Sequence, residues 1–285
     1  MEIFRILDSP HRRLNPLTGE WVLVSPQRTQ RPWLGQVEAV PGPHVPPYDP
    51  DCYLCPGNSR AGGERNPNYS GTFVFDNDYP ALLSPDQLNN WGREVLQELT
   101  GSTERSREIF VAEPEHGLCR VVCFSPRHDL TLPELSQRQV ESVLETWIYQ
   151  TRDLSSRDFV KYVQIFENKG AMMGASNPHP HGQVWATSHT PTEALKELRG
   201  QAEYFADTGA CMLCEYLEAE NQTGERIVVA NQSFTALVPF WAVWPYEVLL
   251  LPHRHLVSLM DLDADEIAAL ADILRRLTAR YDNLF

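Results

Sequence analysis

Apolar residues recur at the helical period over Pro133–Thr151, where Leu135, Val140, Val143, Leu144, Trp147, Ile148 and Thr151 fall on one face. That spacing predicts an amphipathic helix. A second helix is expected from Asp263, with Glu266 three positions on as a capping box and Ile267, Leu270, Ile273, Leu274 and Leu277 on its apolar face. A third runs over Pro191–Phe205, with proline at its start. Short apolar runs rich in β-branched and aromatic residues predict strands. They are "WVLVS", "GTFVFDND", "LCRVVCFSP", "YVQIFEN", "GQVWATS", "RIVVAN", "FTALVP" and "EVLLLP". "PGPHVPPYDP" holds five prolines in ten residues and reads as an extended connector. Residues 84–117 are polar and read as an irregular insertion with one short helix.

The pattern also repeats. "DPDCYLC" recurs as "TGACMLC", and "HDLTLPEL" from His128 recurs as "HLVSLMDL" from His255. Each histidine follows a strand and precedes a long helix. Two copies of one α+β unit are expected, with halves at 1–190 and 191–285. The chain closes on "YDNLF", straight after a helix, where a partner strand is expected, so the second half reads as cut short.

At 285 residues and 42% hydrophobic content the chain can bury a full core. No apolar run reaches the roughly 20 residues of a membrane-spanning helix, and the first residues lack a signal peptide's apolar core. A cytoplasmic location follows. The net charge of −14 disfavours nucleic acid as a partner. An anionic small substrate would need local cations, for which Arg12, Arg13, Arg28 and Arg31 are the candidates.

Six cysteines fall in three pairs. In a reducing compartment a C-x-x-C pair points to metal or redox chemistry rather than a structural disulfide. Cys52 and Cys55, with His128 and His179, make up a tetrahedral Cys2His2 donor set. Cys119 and Cys123 share one face of a strand and read as small buried hydrophobes. In "SNPHPHGQVW", His179 and His181 share a face if the segment is extended, and Gln183 points the same way. Both histidines could bind metal, both could be core, or one could be a free imidazole able to attack phosphorus. Gln183 could donate to a phosphoryl oxygen. Ser176, Asn177, Gly170, Gly174 and Gly182 would let backbone approach an anion.

"NPHPHGQ", with "FENKG" before it, "HRRLNPLTGEWVLVSPQRTQRP" near the start and "DPDCYLC" after the prolines, resembles the galactose-1-phosphate uridylyltransferase family of the histidine-triad superfamily, from Pro10 to Phe285. The resemblance implies two related α+β halves around a continuous, mostly antiparallel sheet, and a homodimer with shared active sites. It implies zinc on Cys52, Cys55, His128 and His179. His181 would be the nucleophile, carrying UMP from UDP-glucose to galactose 1-phosphate. Gln183 and Ser176 would stabilise phosphoryl oxygens, and Arg28, Arg31, Asn77, Asp78 and Asn168 would contact the UDP-sugar. Glu197 matches an iron ligand. Cys211, Cys214 and His255 suggest a second metal site. The alternatives are a related nucleotidyl-sugar phosphorylase and an inactive, truncated zinc-bound scaffold.

Overall fold

The computed structural model describes residues 7–30, 45–87, 113–170, 173–175 and 177–284. Most of the expected insertion at 84–117 lies outside them, as do Ser176 and Arg31. The chain divides into an internal unit, His44–Thr190, and a composite unit that joins Met1–Pro43 to Pro191–Phe285.

The internal unit is built on four antiparallel strands: β3 (Phe73–Asp76), β4 (Gly117–Cys123), β5 (Tyr162–Phe166) and β6 (His181–Thr187), in the order β3-β4-β6-β5. β6 is central and alternates half-buried with buried residues along its length. One face carries helix α1 (Gln137–Ser155), whose Val140, Val143, Leu144 and Leu154 are buried. Burying each such side chain contributes roughly 1.5–3 kcal/mol. The helix starts four residues later than Pro133. Ser136 is its N-cap, and the Gln139 amide oxygen accepts from the Ser136 N–H at 2.9 Å. Before it, Leu132–Glu134 form a single 3-10 turn. Arg120 of β4 bridges to this helix, pairing with Asp153 at 2.7 Å and donating to buried Gln150.

On the opposite face Phe73, Phe75, Val121 and Cys123 pack with Leu54 and Tyr69 around the Cys52–Cys55 turn. Cys119 and Cys123 are buried, as their strand alternation required.

The composite unit holds a hairpin of β1 (His11–Leu14) and β2 (Trp21–Val24). It also holds helices α2 (Thr192–Thr208) and α3 (Met212–Thr223). A second antiparallel sheet of β7 (Ile227–Ala230), β8 (Phe234–Leu237) and β9 (Leu249–Pro252) is followed by α4 (Ala264–Asp282). The α4 capping box is the one expected: Asp263 accepts from Glu266 N–H at 2.8 Å, and Glu266 accepts from Asp263 N–H at 3.0 Å. Strand β1 and helix α3 have no counterpart among the expected elements. Among the described residues the ladders form three sheets rather than one continuous sheet.

Candidate active site and metal centre

The Cys-x-x-Cys turn is fixed by backbone and amide hydrogen bonds before any ion is considered. Cys52 N–H donates to Asp49 O, and Cys55 N–H to Cys52 O. Asn58 donates to the carbonyls of Asp49 and Cys52 at 2.9 and 2.8 Å. Asn66 does the same for Tyr53 and Cys55 at 2.9 and 3.0 Å. The Leu54 N–H points at Cys52 Sγ, 3.4 Å away.

His128 arrives from the loop after β4 and His179 from the loop before β6. Both are buried, as are both cysteines, and the four donor atoms lie within 4.8 Å of one another. Cys55 Sγ is 3.6 Å from His128 Nδ1 and 3.5 Å from His179 Nδ1. A tetrahedral zinc with metal–sulfur near 2.3 Å and metal–nitrogen near 2.0–2.1 Å has sulfur–nitrogen edges of about 3.5–3.6 Å. The residues therefore fit the ion that their donor set selects.

The ring orientations agree. His179 Nε2 lies 2.9 Å from the Ser125 carbonyl, which only accepts, so that nitrogen carries the proton and Nδ1 offers a lone pair to the cluster. Tyr69 donates to Leu54 O at 2.6 Å and sits 3.1 Å from the same Nε2. The Asp49 carboxylate is 3.9 Å from His128 Nε2, beside the nitrogen that does not face the cluster. Burial, with the neighbouring Cys52, pushes the Cys55 thiol up to about 11, and burial brings His179 down to about 4. A buried imidazole held neutral is a ready ligand; the thiols need a cation to hold them as thiolates.

His181 opens β6 two residues after His179. Its Nδ1 lies 2.7 Å from the His179 carbonyl, so Nδ1 is the protonated nitrogen and Nε2 keeps its lone pair. Pro180 sets the loop through Phe124 N–H, which donates to Pro180 O at 2.9 Å. Gly182 follows with no side chain because none fits: a Cβ there would stand 2.9 Å from both the Phe166 carbonyl and the Phe124 ring.

Gln183 shares the His181 face by strand alternation. Trp185, two further on, donates its indole N–H to Gln183 Oε1 at 3.0 Å. An indole can only donate, so its partner is the Gln183 oxygen and the NH2 is the amide's donating end. Trp185 is itself held edge-on to Phe166, at 5.4 Å between ring centroids.

The other expected site residues are placed less uniformly. The β5–β6 register pairs Phe166 with Gln183, so Asn168, exposed just beyond β5, lies at the His181 end of the sheet. Asn77 donates its N–H to Cys119 O, and Cys119 pairs with Trp185, which puts Asn77 and Asp78 at the far end of the β6 face. Asp78 is already engaged, accepting from Arg60 Nε at 3.3 Å and Gly62 N–H at 3.2 Å. The Asn177 side chain is buried against the cysteine–histidine cluster, donating to Cys52 Sγ at 3.3 Å and accepting from His179 N–H at 2.9 Å. Gly170 and Gly174 both take positive φ, 87° and 82°, in the preceding loop.

Arg28 is exposed in a 3-10 turn of the composite unit. Glu197 is exposed on α2 and joins no cluster of metal-ligating side chains among the described residues. Cys211, Cys214 and His255 do converge, with their donor atoms within 4.8 Å. The sequence reading did not single out Tyr69, Ser125 or Trp185. Ser125 acts through its carbonyl, which no residue identity reports.

Family models match two stretches: residues 2–191 match the galactose-1-phosphate uridyl transferase N-terminal domain, and residues 197–285 the C-terminal domain. A galactose-1-phosphate uridylyltransferase of Haemophilus influenzae is 47% identical over 99% of this chain and 77% of its own length. The Saccharomyces cerevisiae enzyme of the same name is 41% identical over 100% and 77%. A solved uridylyltransferase structure aligns with a TM-score of 0.63 at 28% identity, covering 93% of this chain and 72% of that one. An Arabidopsis thaliana ADP-glucose phosphorylase with bound ADP-glucose shares the fold, with a TM-score of 0.67 at 24% identity over 94% and 76%.

Proposed function

Because this chain belongs to the galactose-1-phosphate uridylyltransferase family, we propose that it transfers UMP from UDP-glucose to galactose 1-phosphate through a covalent adduct on His181. The observation that carries this is the bond from His181 Nδ1 to the His179 carbonyl. It leaves Nε2 as the nucleophile without any proton transfer to another side chain. Nε2 attacks the α-phosphorus, the P–N bond forms, and the bond to the glucose 1-phosphate oxygen breaks. The positive charge that develops on the ring is shared through the Nδ1 proton with the carbonyl. A phosphate oxygen of galactose 1-phosphate then attacks the same phosphorus, Nε2 leaves, and UDP-galactose forms. Protons balance in both steps.

The Gln183 NH2, aimed by Trp185, donates to a non-bridging oxygen as charge gathers there. Ser176 is assigned the same role. Asn168 at the near end of the face, Asn77 and Asp78 at the far end, and Arg28 and Arg31 are assigned to the UDP-sugar.

Cys52, Cys55, His128 and His179 would hold zinc, which supplies a structural cross-link with no redox chemistry. The chain's own residues turn that into catalysis: His179 is both a ligand side chain and the carbonyl that orients His181. An iron at Glu197 would need ligands that the described residues do not bring to it. Unpaired cysteines at all six positions fit a reducing, cytoplasmic setting. A homodimer with shared sites is the proposed assembly.

The test is the intact mass after incubation with UDP-glucose alone. One added UMP on the parent chain, acid-labile and missing in His181→Ala, is expected. An unmodified parent chain that remains folded would sink the proposal. An adduct from ADP-glucose but not UDP-glucose would replace it with the phosphorylase reading, for which the shared fold is the only support.

A further inference from the structure

We propose, on the uridylyltransferase reading, that Arg60 is a positioning residue for the donor nucleotide. It fixes the Asp78 carboxylate and the Phe75 ring at the far end of the β6 face, and its charge lets that carboxylate stand near a diphosphate.

The sheet register sets the span. Phe75 pairs with Val121, and Val121 with Gln183, so the three share one row and one face. Neighbouring strands lie about 4.8 Å apart, which puts Phe75 roughly 10 Å from Gln183. A phosphorus held at His181 and Gln183 leaves its nucleoside to run across the sheet toward Phe75, with Asn77 and Asp78 just past the end of β3.

Arg60 holds that end from above the sheet. Its guanidinium carbon lies 4.4 Å from the centroid of the Phe75 ring, a cation–π contact. Its Nε donates to Asp78 Oδ1 at 3.3 Å, and the Gly62 N–H donates to Asp78 Oδ2 at 3.2 Å. Each carboxylate oxygen accepts one of these bonds and keeps a lone pair for a hydroxyl or N–H of the ligand. The two side chains are only 7% and 13% exposed, so this pair is shielded from water and holds its geometry as a surface pair does not. Glu64, which also pairs with Arg60, is exposed.

The backbone that carries Arg60 is itself fixed. Arg60 N–H donates to Glu64 O at 2.6 Å and Gly63 N–H to Arg60 O at 3.0 Å, which closes a tight turn with Gly63 at φ 90°. At the base of the same hairpin Asn66 N–H donates to Asn58 O at 2.9 Å. Those two asparagines are the ones that hold the Cys-x-x-Cys turn. One short segment thus braces the metal centre at its base and Asp78 at its tip. Gly62 is part of the fit: a Cβ there would stand 2.8 Å from Asp78 Oδ1.

Charge gives the second reason. A bare carboxylate at this end would repel the diphosphate of the donor. Arg60 cancels it locally, in a chain whose net charge is −14.

The test is two-substrate kinetics on the whole protein, because a double-displacement reaction yields a separate kcat/KM for each substrate. Arg60→Met keeps an unbranched stem over Phe75 and removes the pair with Asp78. Its KM for UDP-glucose should rise by about ten- to a hundredfold, the weight of a hydrogen bond to a charged group. Its kcat at saturating donor and its final yield of UMP adduct should stay near those of the parent. Arg60→Lys, which restores the charge, should recover part of the loss, and Arg60→Met should add almost nothing to Asp78→Asn. A general folding defect would lower kcat and adduct yield instead. An unchanged KM for UDP-glucose in Arg60→Met, or a loss that falls on kcat, would overturn the role. A folded parent chain that takes no UMP would count against the uridylyltransferase reading itself. Calorimetric titration with UDP then decides the Arg60 role separately: weaker binding by Arg60→Met than by the parent supports it, and equal binding overturns it.

Discussion

His181 owes its tautomer to one backbone carbonyl, and the Gln183 amide owes its orientation to one indole. These two dependencies make separable predictions. Gln183→Ala should lower kcat by about 10²-fold, the usual effect of losing a preorganised donor to a phosphoryl or acyl oxygen. Trp185→Phe keeps a ring against Phe166 but removes the N–H that fixes the amide. It should cost less in kcat than Gln183→Ala and add almost nothing on top of it. An equal and additive loss in steady-state kinetics would show that Trp185 does not act through Gln183. Gly182 belongs to the same scale. The methyl of Gly182→Ala has nowhere to go except into the Phe166 carbonyl or the Phe124 ring. It would shift His181 and Gln183 together, so activity and thermal midpoint should fall in the same variant.

Elements whose boundaries are set by local chemistry were readable from residue types. Asp263 and Glu266 marked the start of α4, and Ser136 with Gln139 closes a box at the start of α1. The α4 start also carries a pH signature. Arg254 grips Glu266 at 2.7 and 2.6 Å, and this hydrogen-bonded pairing lowers the Glu266 carboxyl from 4.5 to about 2. A depressed carboxylate stabilises the fold above its unfolded pKa. That contribution is complete above about pH 4.5 and fades as pH falls toward 2. Glu266→Gln should lower the melting temperature at neutral pH and show a shallower decline between those limits. Parallel curves for the two proteins would contradict it. Helix α3 has no counterpart in the sequence reading because its N-cap, Cys211, is not a capping residue type and makes no capping hydrogen bond. Its end is nevertheless marked by Gly224 at φ 67°. Strand β1, "HRRL", lacks an apolar pattern and exists by pairing with β2.

At the scale of the whole molecule, helix α2 carries an exposed apolar face. It buries no side chain and exposes Leu195, Leu198 and Phe205. Exposed apolar side chains on one helix fit a surface that is covered on self-association. The expected assembly is a homodimer, so light scattering should give twice the 32.5 kDa chain mass. Leu198→Glu with Phe205→Glu should shift it toward the monomer. A parent chain at 32.5 kDa across micromolar concentrations would remove the dimer from the reading.

Residue type and spacing by themselves determined the helix α1 with its apolar stripe, the capped start of α4, every strand but β1, the internal repeat, and the cysteines and histidines of the candidate site. These are local properties: periodicity, caps and donor identity need no knowledge of what lies across space. Tertiary structure alone decided which ring nitrogen each of the two histidines presents. His179 turns Nδ1 to Cys55 because the Ser125 carbonyl takes the proton of Nε2, and His181 keeps Nε2 free because the His179 carbonyl takes the proton of Nδ1. It also set the Asn177 side chain against Cys52 and tied Asp78 to Arg60. Each of these outcomes depends on a partner distant in sequence or on a backbone carbonyl, and side-chain identity encodes neither.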